Sequence, residues 1–425
     1  MKMSKASNKR NQLIGSLQKL DKPTGLYLHV PFCEGKCRYC DFFSEYCSDE
    51  VMMEYLRCLK KEIGIYSAAY KELNGGKSLQ LKTIYIGGGT PSVLNVEQIS
   101  EIINCLISEF SLPESGEITM EANPTSLNIR KVKELRRIGV NRLSVGVQSF
   151  NDKQLKFLGR KHSSSEAEKT MEIVSDFFDN FNIDLIFAVP GQSMAEWKDT
   201  LKRTLSFSPP HISLYNLQIE DDTPLAADLS EGLFQKVNDA LDARMYLYSR
   251  EILIENGYEH YEISNFARDG YQSIHNTLYW RLHPYLGVGP ASHGFYGDIR
   301  YNNYSSIDKY CWFLNEKNSK YEYRNQNDNL SFLEYVLDKC LPIENIYYLD
   351  QGDIMAEKMF MGLRLLDGLL LSDFKRDTGA DLKNVYQKEI KHLDKLELIY
   401  LDDERIKLTE KGILHANRVF MEFLP

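Results

Sequence analysis

Three cysteines, Cys33, Cys37 and Cys40, stand in the run Tyr27-Leu-His-Val-Pro-Phe-Cys-Glu-Gly-Lys-Cys-Arg-Tyr-Cys-Asp-Phe-Phe, with the spacing C-x3-C-x2-C. Three thiolates on one short loop can hold three irons of a [4Fe–4S] cube and leave the fourth iron open to a small molecule. A fourth cysteine would close the site and point to electron transfer alone. The same thiols could instead share a zinc ion with a distant histidine, or be plain buried thiols. The context favours the cluster: the loop follows an apolar run over residues 25–30, Pro31 ends that run, and the aromatic Tyr39 precedes the last cysteine.

Further polar residues follow apolar runs in a regular order. Gly87-Gly88-Gly89-Thr90-Pro91 comes one unit after the cysteines. Glycine lets a ligand approach the backbone, although a Gly triplet is most often only a tight turn. Glu121 stands in Glu-Ala-Asn-Pro, Gln148 ends Leu-Ser-Val-Gly-Val-Gln, Arg160 lies twelve residues on, and Asp184 opens Asp-Leu-Ile-Phe-Ala-Val-Pro-Gly. Singly, each could merely satisfy loop backbone groups.

The elements that must carry these residues alternate. Runs at 26–30, 83–86, 117–121, 143–147, 183–189 and 212–217 read as six strands, separated by helical stretches. Ile99, Ile102, Ile103, Leu106, Ile107 and Phe110 recur at helical spacing, so an amphipathic helix is predicted over 96–110. Repeated βα units imply a parallel sheet with right-handed crossovers, and six of them suggest a partial TIM-type (β/α)6 barrel. In such barrels the chemistry lies at the C-terminal strand ends, where the polar residues above fall.

Beyond residue 220 the pattern changes. Residues 232–256 are predicted as one long helix. Residues 257–300, rich in Tyr, His, Gly and Asn, suggest short strands and loops covering the barrel mouth. Residues 315–330 are polar and aperiodic, as a surface loop would be. The tail reads helix, helix, hairpin, last helix, a winged-helix-like order. Over 372–425 it has 10 Lys and Arg against 11 Asp and Glu, so it offers no basic face for nucleic acid. The expected organisation is a flexible lead over 1–23, a barrel over 24–230, a barrel-covering extension over 231–350 and a winged-helix-like domain over 351–425.

Bulk properties fit a soluble protein. The 425 residues are 43% hydrophobic and 26% charged, with net charge −9, which does not favour a phosphate backbone as partner. No run of about 18 apolar residues exists, and residues 1–21 lack a signal-peptide core. Eight cysteines do not form a secreted disulfide framework. Cys47, Cys58, Cys105, Cys311 and Cys340 are expected to be plain thiols, and a reducing cytoplasm is the expected location.

The motif order resembles the radical S-adenosylmethionine (SAM) superfamily, and within it the oxygen-independent coproporphyrinogen III oxidase-like family, over roughly residues 24–300 with a weaker likeness in the tail. The resemblance implies that SAM chelates the open iron. It also implies SAM contacts from Tyr27, Tyr39, Gly88, Glu121, Gln148, Arg160 and Asp184, with Gly89 and Thr90 close by and His293 near the cofactor. An acid, an amide and a guanidinium at adjacent strand ends suit the ammonium, carboxylate and ribose of SAM.

Two branches of that family differ in this region. The coproporphyrinogen dehydrogenases carry a fourth cysteine where this chain has Phe42, and a longer N-terminal extension than the 32 residues before Cys33. The HemW-type haem chaperones have Cys-Asp-Phe here and a later H-N-x-x-Y-W, matched by His275-Asn276-Thr277-Leu278-Tyr279-Trp280. Haem iron accepts an imidazole, and aromatic rings pack on porphyrin faces. That makes His275 the expected iron ligand, with Asn276 in the motif, Tyr279 and Trp280 as walls, and His283 or His293 as other candidate ligands. The bland alternative is a structural histidine beside a Tyr-Trp core pair.

The expected function is therefore a cytoplasmic haem chaperone with a [4Fe–4S] cluster and SAM, handing haem to an acceptor protein and lacking coproporphyrinogen dehydrogenase activity. The alternative is that dehydrogenase, in which a SAM-derived radical would drive oxidative decarboxylation of porphyrinogen propionates. A flavodoxin-like electron donor and a peripheral membrane contact through an acceptor are further expected partners.

Overall fold

The computed structural model describes residues 24–316 and 341–424. The expected N-terminal lead and all but the first two residues of the 315–330 loop lie outside them. The chain divides into two compact units, Met1–Gly35, Phe43–Met120 and His283–Asp350 in one, and Lys36–Phe42, Glu121–Leu282 and Gln351–Pro425 in the other.

In the first unit, β1 (Thr24–Val30) pairs in parallel with β2 (Leu81–Gly88), and β2 with β3 (Glu117–Ala122). Pro31 has no N–H to extend the ladder, so β1 ends there. Between the strands run α1 (Asp49–Leu73) and α2 (Val96–Glu109). Asn95 and Gln98 form a capping box that fixes the start of α2. Ile99, Ile102, Ile103 and Leu106 are buried as predicted, but Ile107 is 50% exposed. The predicted stripe was one residue too wide.

The later part of this unit is also sheet. After β9 (Tyr285–Val288), β10 (His293–Tyr296), β11 (Ile299–Asn303) and β12 (Ile343–Tyr348) continue antiparallel, with α10 (Ile307–Glu316) between the last two. β9 itself pairs in parallel with β1. The 257–300 segment thus contributes a parallel strand to the sheet as well as short strands and loops.

The second unit repeats the βα rhythm. β4 (Arg142–Gln148), β5 (Phe181–Phe187) and β6 (His211–Asn216) pair in parallel. The helices are α3 (Ile129–Arg137), α4 (Asp152–Leu158), α5 (Ser164–Phe177) and α6 (Met194–Ser206). The helix predicted over 232–256 forms, but only from Asp239 on. α7 (Pro224–Ser230) ends near Gly232, whose φ is +72°, and α8 (Asp239–Glu255) starts only at its cap, Asn238. The Asn238 side chain accepts the Leu241 N–H, and that bond sets the boundary. β7 (Glu259–Glu262) and β8 (Asn265–Ala267) then form a hairpin against β6, followed by α9 (Ile274–Trp280).

The tail keeps the expected hairpin but has more helices on either side of it than the helix, helix, hairpin, last helix read from the sequence. α11 (Gln351–Gly362), β13 (Leu369–Leu370), α12 (Leu371–Thr378), α13 (Leu382–Val385) and α14 (Gln387–Lys395) precede the hairpin β14 (Ile399–Leu401) and β15 (Arg405–Leu408). α15 (Glu410–Leu414) and α16 (Ala416–Met421) close it. Asp402 makes the hairpin turn, its carboxylate accepting the Glu404 and Arg405 N–H groups. Leu369, Phe374, Leu393, Ile406 and Phe423 lie in its core. Among the described residues no helix is long and apolar enough to cross a membrane.

Candidate functional site

The first unit holds Tyr27, Cys33, Gly88, Gly89, Thr90 and His293. Backbone bonds fasten the start of the cysteine loop. Glu45 N–H donates to Pro31 O at 2.8 Å and Cys33 N–H to Glu45 O at 3.2 Å. The glycine run is tied to the same stretch, with Gly89 N–H on Val30 O at 2.9 Å and Thr90 N–H on Phe32 O at 2.7 Å. This places the Thr90 hydroxyl 3.2 Å from Cys33 Sγ. Gly88 has φ +110°, and a Cβ there would lie 2.6 Å from the His29 ring. Both constraints require glycine.

His29 is a site residue that the motif reading missed. It is buried between the Tyr27 hydroxyl, 3.1 Å from Nδ1, and Phe43 O, 2.9 Å from Nε2. A carbonyl can only accept, so Nε2 carries the proton and Nδ1 accepts from Tyr27. Burial pushes the imidazole pKa down to about 4, so it is neutral. His293 is exposed, and its charge is felt at His29.

The second unit holds Cys37, Tyr39, Cys40, Glu121, Gln148, Arg160, Asp184 and the whole 275–280 motif. Cys40 N–H closes a turn on Cys37 O at 3.3 Å. Arg38 anchors this turn: its N–H meets Leu158 O, its guanidinium meets Phe157 O and pairs with Asp228. Gly159, at φ +76°, leaves room for it, since a Cβ there would lie 2.9 Å from Arg38 Cγ. Arg160 donates one N–H toward Cys37 Sγ at 3.4 Å and another to Gly146 O at 2.5 Å. Tyr39 packs on Leu158, Ile186 and Val189, and burial raises its hydroxyl pKa. None of Cys33, Cys37 and Cys40 is in a disulfide, and all are half-buried.

Gln148 sits at φ +64°, a left-handed backbone that a non-glycine residue adopts at a cost of about 1–3 kcal/mol. Its amide lies over Gly146, where a Cβ would come 3.0 Å from Nε2 and 3.5 Å from Arg160 Nη2. Its Oε1 is buried and has no partner among the described residues. Such an oxygen is an acceptor awaiting a donor. Half-buried Glu121 and half-buried Asp184 both act electrostatically on Tyr215.

Asp184 begins a buried polar chain. Its Oδ2 accepts from Ser144 Oγ at 2.9 Å and its Oδ1 from Asn182 Nδ2 at 2.8 Å. Asn182 Oδ1 is 2.7 Å from His211 Nδ1, and His211 Nε2 is 2.8 Å from the Tyr261 hydroxyl. The amide oxygen only accepts, so His211 is protonated at Nδ1 and takes the Tyr261 proton at Nε2. Burial holds the His211 pKa well below its ordinary value. The Tyr261 oxygen accepts the Ser273 N–H at 3.3 Å. Ser273 is the N-cap of α9, which carries His275. Asn182, His211 and Tyr261 were not singled out from the sequence. The only signal was the alternation of polar residues along β5 and β6.

In α9, His275 is only 1% exposed. Its Nε2 is hydrogen-bonded to the Tyr279 hydroxyl at 2.7 Å, one turn on. Burial pushes its pKa down to about 3, with the Arg142 charge adding to the effect. Trp280 lies under the Arg364 guanidinium, 4.3 Å from the ring centroid, and its Nε1 has no acceptor among the described residues. Asn276 is half-buried. The motif is therefore brought together on one helix turn, with the imidazole turned inward onto Tyr279.

The radical SAM superfamily pattern matches residues 27–204, and the HemN C-terminal domain pattern matches 349–415. The chain is 35% identical to the haem chaperone HemW of Lactococcus lactis, over 95% of this chain and 98% of that one. It is 31% identical to the haem chaperone HemW of Bacillus subtilis, over 94% and 98%. Among solved structures it is similar to the coproporphyrinogen III oxidase HemN of Escherichia coli, a radical SAM enzyme. The TM-score is 0.76 at 21% identity, covering 96% of this chain and 92% of that one. That likeness establishes the α/β fold with a parallel sheet and a small C-terminal domain.

Proposed function

The chain belongs to the HemW family of the radical SAM superfamily, and on that footing we propose that it is a haem chaperone, which holds haem as cargo and passes it to an acceptor protein. The observation that carries this reading is identity of 35% and 31% to haem chaperones along nearly their whole length. The likeness to the oxidase, at 21% identity, speaks for the fold and not for the reaction. Phe42, 61% exposed, stands where the dehydrogenases would have a fourth cysteine.

Superfamily membership implies a [4Fe–4S] cluster and SAM, and the residues fit both. Cys33, Cys37 and Cys40 offer half-buried sulfurs outside any disulfide, with a guanidinium N–H aimed at one of them. The unpartnered Gln148 Oε1 is suited to a donor of SAM. When bound, the cluster supplies an electron to SAM. Glu121, Arg160 and Asp184 orient and charge-balance the cofactor, and Thr90 sits beside the Cys33 sulfur. A cytoplasmic location and a flavodoxin-like electron donor go with this reading.

For haem, the candidate ligand is His275. It must give up the Tyr279 hydrogen bond before Nε2 can reach iron, at a cost of about 1 kcal/mol. Tyr279 and Trp280 are then adjacent aromatic surfaces for the porphyrin. The deciding experiment is an anaerobic haemin titration of cluster-loaded protein. One-to-one saturable binding with an imidazole-type Soret shift is the expected result, with no turnover of porphyrinogen in the presence of SAM and a reductant. Absence of saturable binding together with porphyrinogen turnover would replace the chaperone by the dehydrogenase.

A further inference from the structure

Two cysteines expected to be plain thiols meet inside the first unit. α1 carries Glu54 and Cys58 four residues apart, and α10 carries Cys311 and Asn315 four residues apart. Residues at i and i+4 share a helix face, so each helix presents a sulfur and an oxygen side by side. Cys58 Sγ lies 3.5 Å from Glu54 Oε1 and 3.8 Å from Asn315 Oδ1. Ligand atoms of Glu54, Cys58 and Cys311 all lie within 4.8 Å of one another.

These spacings have a geometric meaning. Bonds of about 2.0–2.3 Å from a tetrahedral zinc to oxygen and sulfur put neighbouring ligands roughly 3.5–3.8 Å apart. The Cys58 distances already match such an edge. The group is also rich in acceptors: the single Cys58 thiol proton faces Glu54 Oε1, the Cys311 carbonyl and Asn315 Oδ1. Glu54 Oε1 also takes an N–H of the Asn315 amide and Asn315 Oδ1 the Lys61 ammonium, bonds that a cation facing the same oxygens would replace.

We propose that Glu54, Cys58, Cys311 and Asn315 form a binding site for a thiophilic divalent cation, of which zinc is the type. Binding releases both thiol protons, so that two thiolates and one carboxylate face a doubly charged ion. The remaining single negative charge is offset at the rim, where Arg57 pairs with Glu54 and Lys61 Nζ lies 2.6 Å from Asn315 Oδ1. Glu54 and Asn315 are half-buried, which gives the ion a way in, while Cys58 and Cys311 are buried.

The cluster cysteines also bind such ions, so the test removes them. The full-length Cys33→Ala/Cys37→Ala/Cys40→Ala chain is titrated anaerobically with cobalt(II). One equivalent giving thiolate-to-cobalt charge-transfer and tetrahedral bands is expected. Adding Cys311→Ser abolishes those bands, and Asn315→Ala, which removes the half-buried oxygen of the site, weakens binding about tenfold. In parallel, cluster-loaded protein with its cysteines intact carries one zinc beyond its iron, lost on Cys311→Ser. Cobalt bands absent from the folded triple variant, or unchanged by Cys311→Ser, overturn the proposal. If the triple variant does not fold, zinc-free cluster-loaded protein overturns it instead.

Discussion

At the scale of single residues, two side chains separate the cluster from the cargo. Cys37 receives an N–H of Arg160 and is one of the three thiols proposed to hold the cluster. Cys37→Ala is expected to abolish the iron–sulfur absorbance after anaerobic reconstitution, and a full signal in that variant contradicts the assignment. His275→Ala should keep the cluster and lose haem affinity. Tyr279→Phe tests the inward latch more finely. It keeps the aromatic surface and removes only the hydroxyl that holds Nε2, worth about 1 kcal/mol. Haem should then bind about fivefold more tightly in a haemin titration. Weaker binding instead means that the hydroxyl serves the bound cargo. His293 or His283 becomes the ligand if His275→Ala changes nothing.

At the scale of elements, strand register explains what the sequence could and could not disclose. The cysteine spacing and the Gly88-Gly89-Thr90 turn were legible because such signals are local: spacing on one loop, and glycine where a Cβ would strike His29 or Phe32 O. His29 itself was not, since its partner Phe43 lies across the loop. The chain from Asp184 to α9 was hidden for the same reason. It exists because β5 and β6 pair Asn182 with His211 in register, and β7 brings Tyr261 to the same ring. The six-strand alternation survived because period and length are local properties, whereas the late start of the 232–256 helix rests on one cap, Asn238. Tyr261→Phe cuts the chain without changing its packing volume much. It leaves His211 Nε2 and the Ser273 N–H buried without that hydroxyl. Stability should fall by about 1–3 kcal/mol in urea unfolding, and haem affinity should fall with it while cluster absorbance stays. A variant that unfolds and binds haem like the parent denies the chain any role in holding α9.

At the scale of the whole molecule, buried titratable groups set the pH range in which the fold holds. Burial lowers the pKa of His29, His162 and His260 to about 4 and of His275 to about 3. The unfolded chain binds these protons near pH 6.5, so it takes up more protons than the fold below that pH. Each histidine thus contributes fully above pH 6.5 and loses that contribution as pH falls through its folded value, on the order of 3 kcal/mol apiece. Glu62 runs the other way. It is wholly buried among the Gly289 N–H, the Asn303 amide and the Tyr310 hydroxyl, and burial raises its pKa to about 7 against 4.5 unfolded. Its contribution is complete below pH 4.5 and lost as pH rises through 7. Between pH 4.5 and 6.5 these four histidines and His211, also lowered, outweigh the raised carboxyls Glu62, Asp184 and Glu262, so stability should rise with pH, pass a maximum near 6.5 and decline slightly to about 7. Glu62→Gln cannot titrate, and Asn303 Oδ1, which has no partner among the described residues, can turn to receive the new amide. In urea unfolding from pH 4 to 8 that variant should climb more steeply and then stay flat above pH 6.5. An unaltered decline between 6.5 and 7 would show that the carboxyl is not what the fold holds protonated.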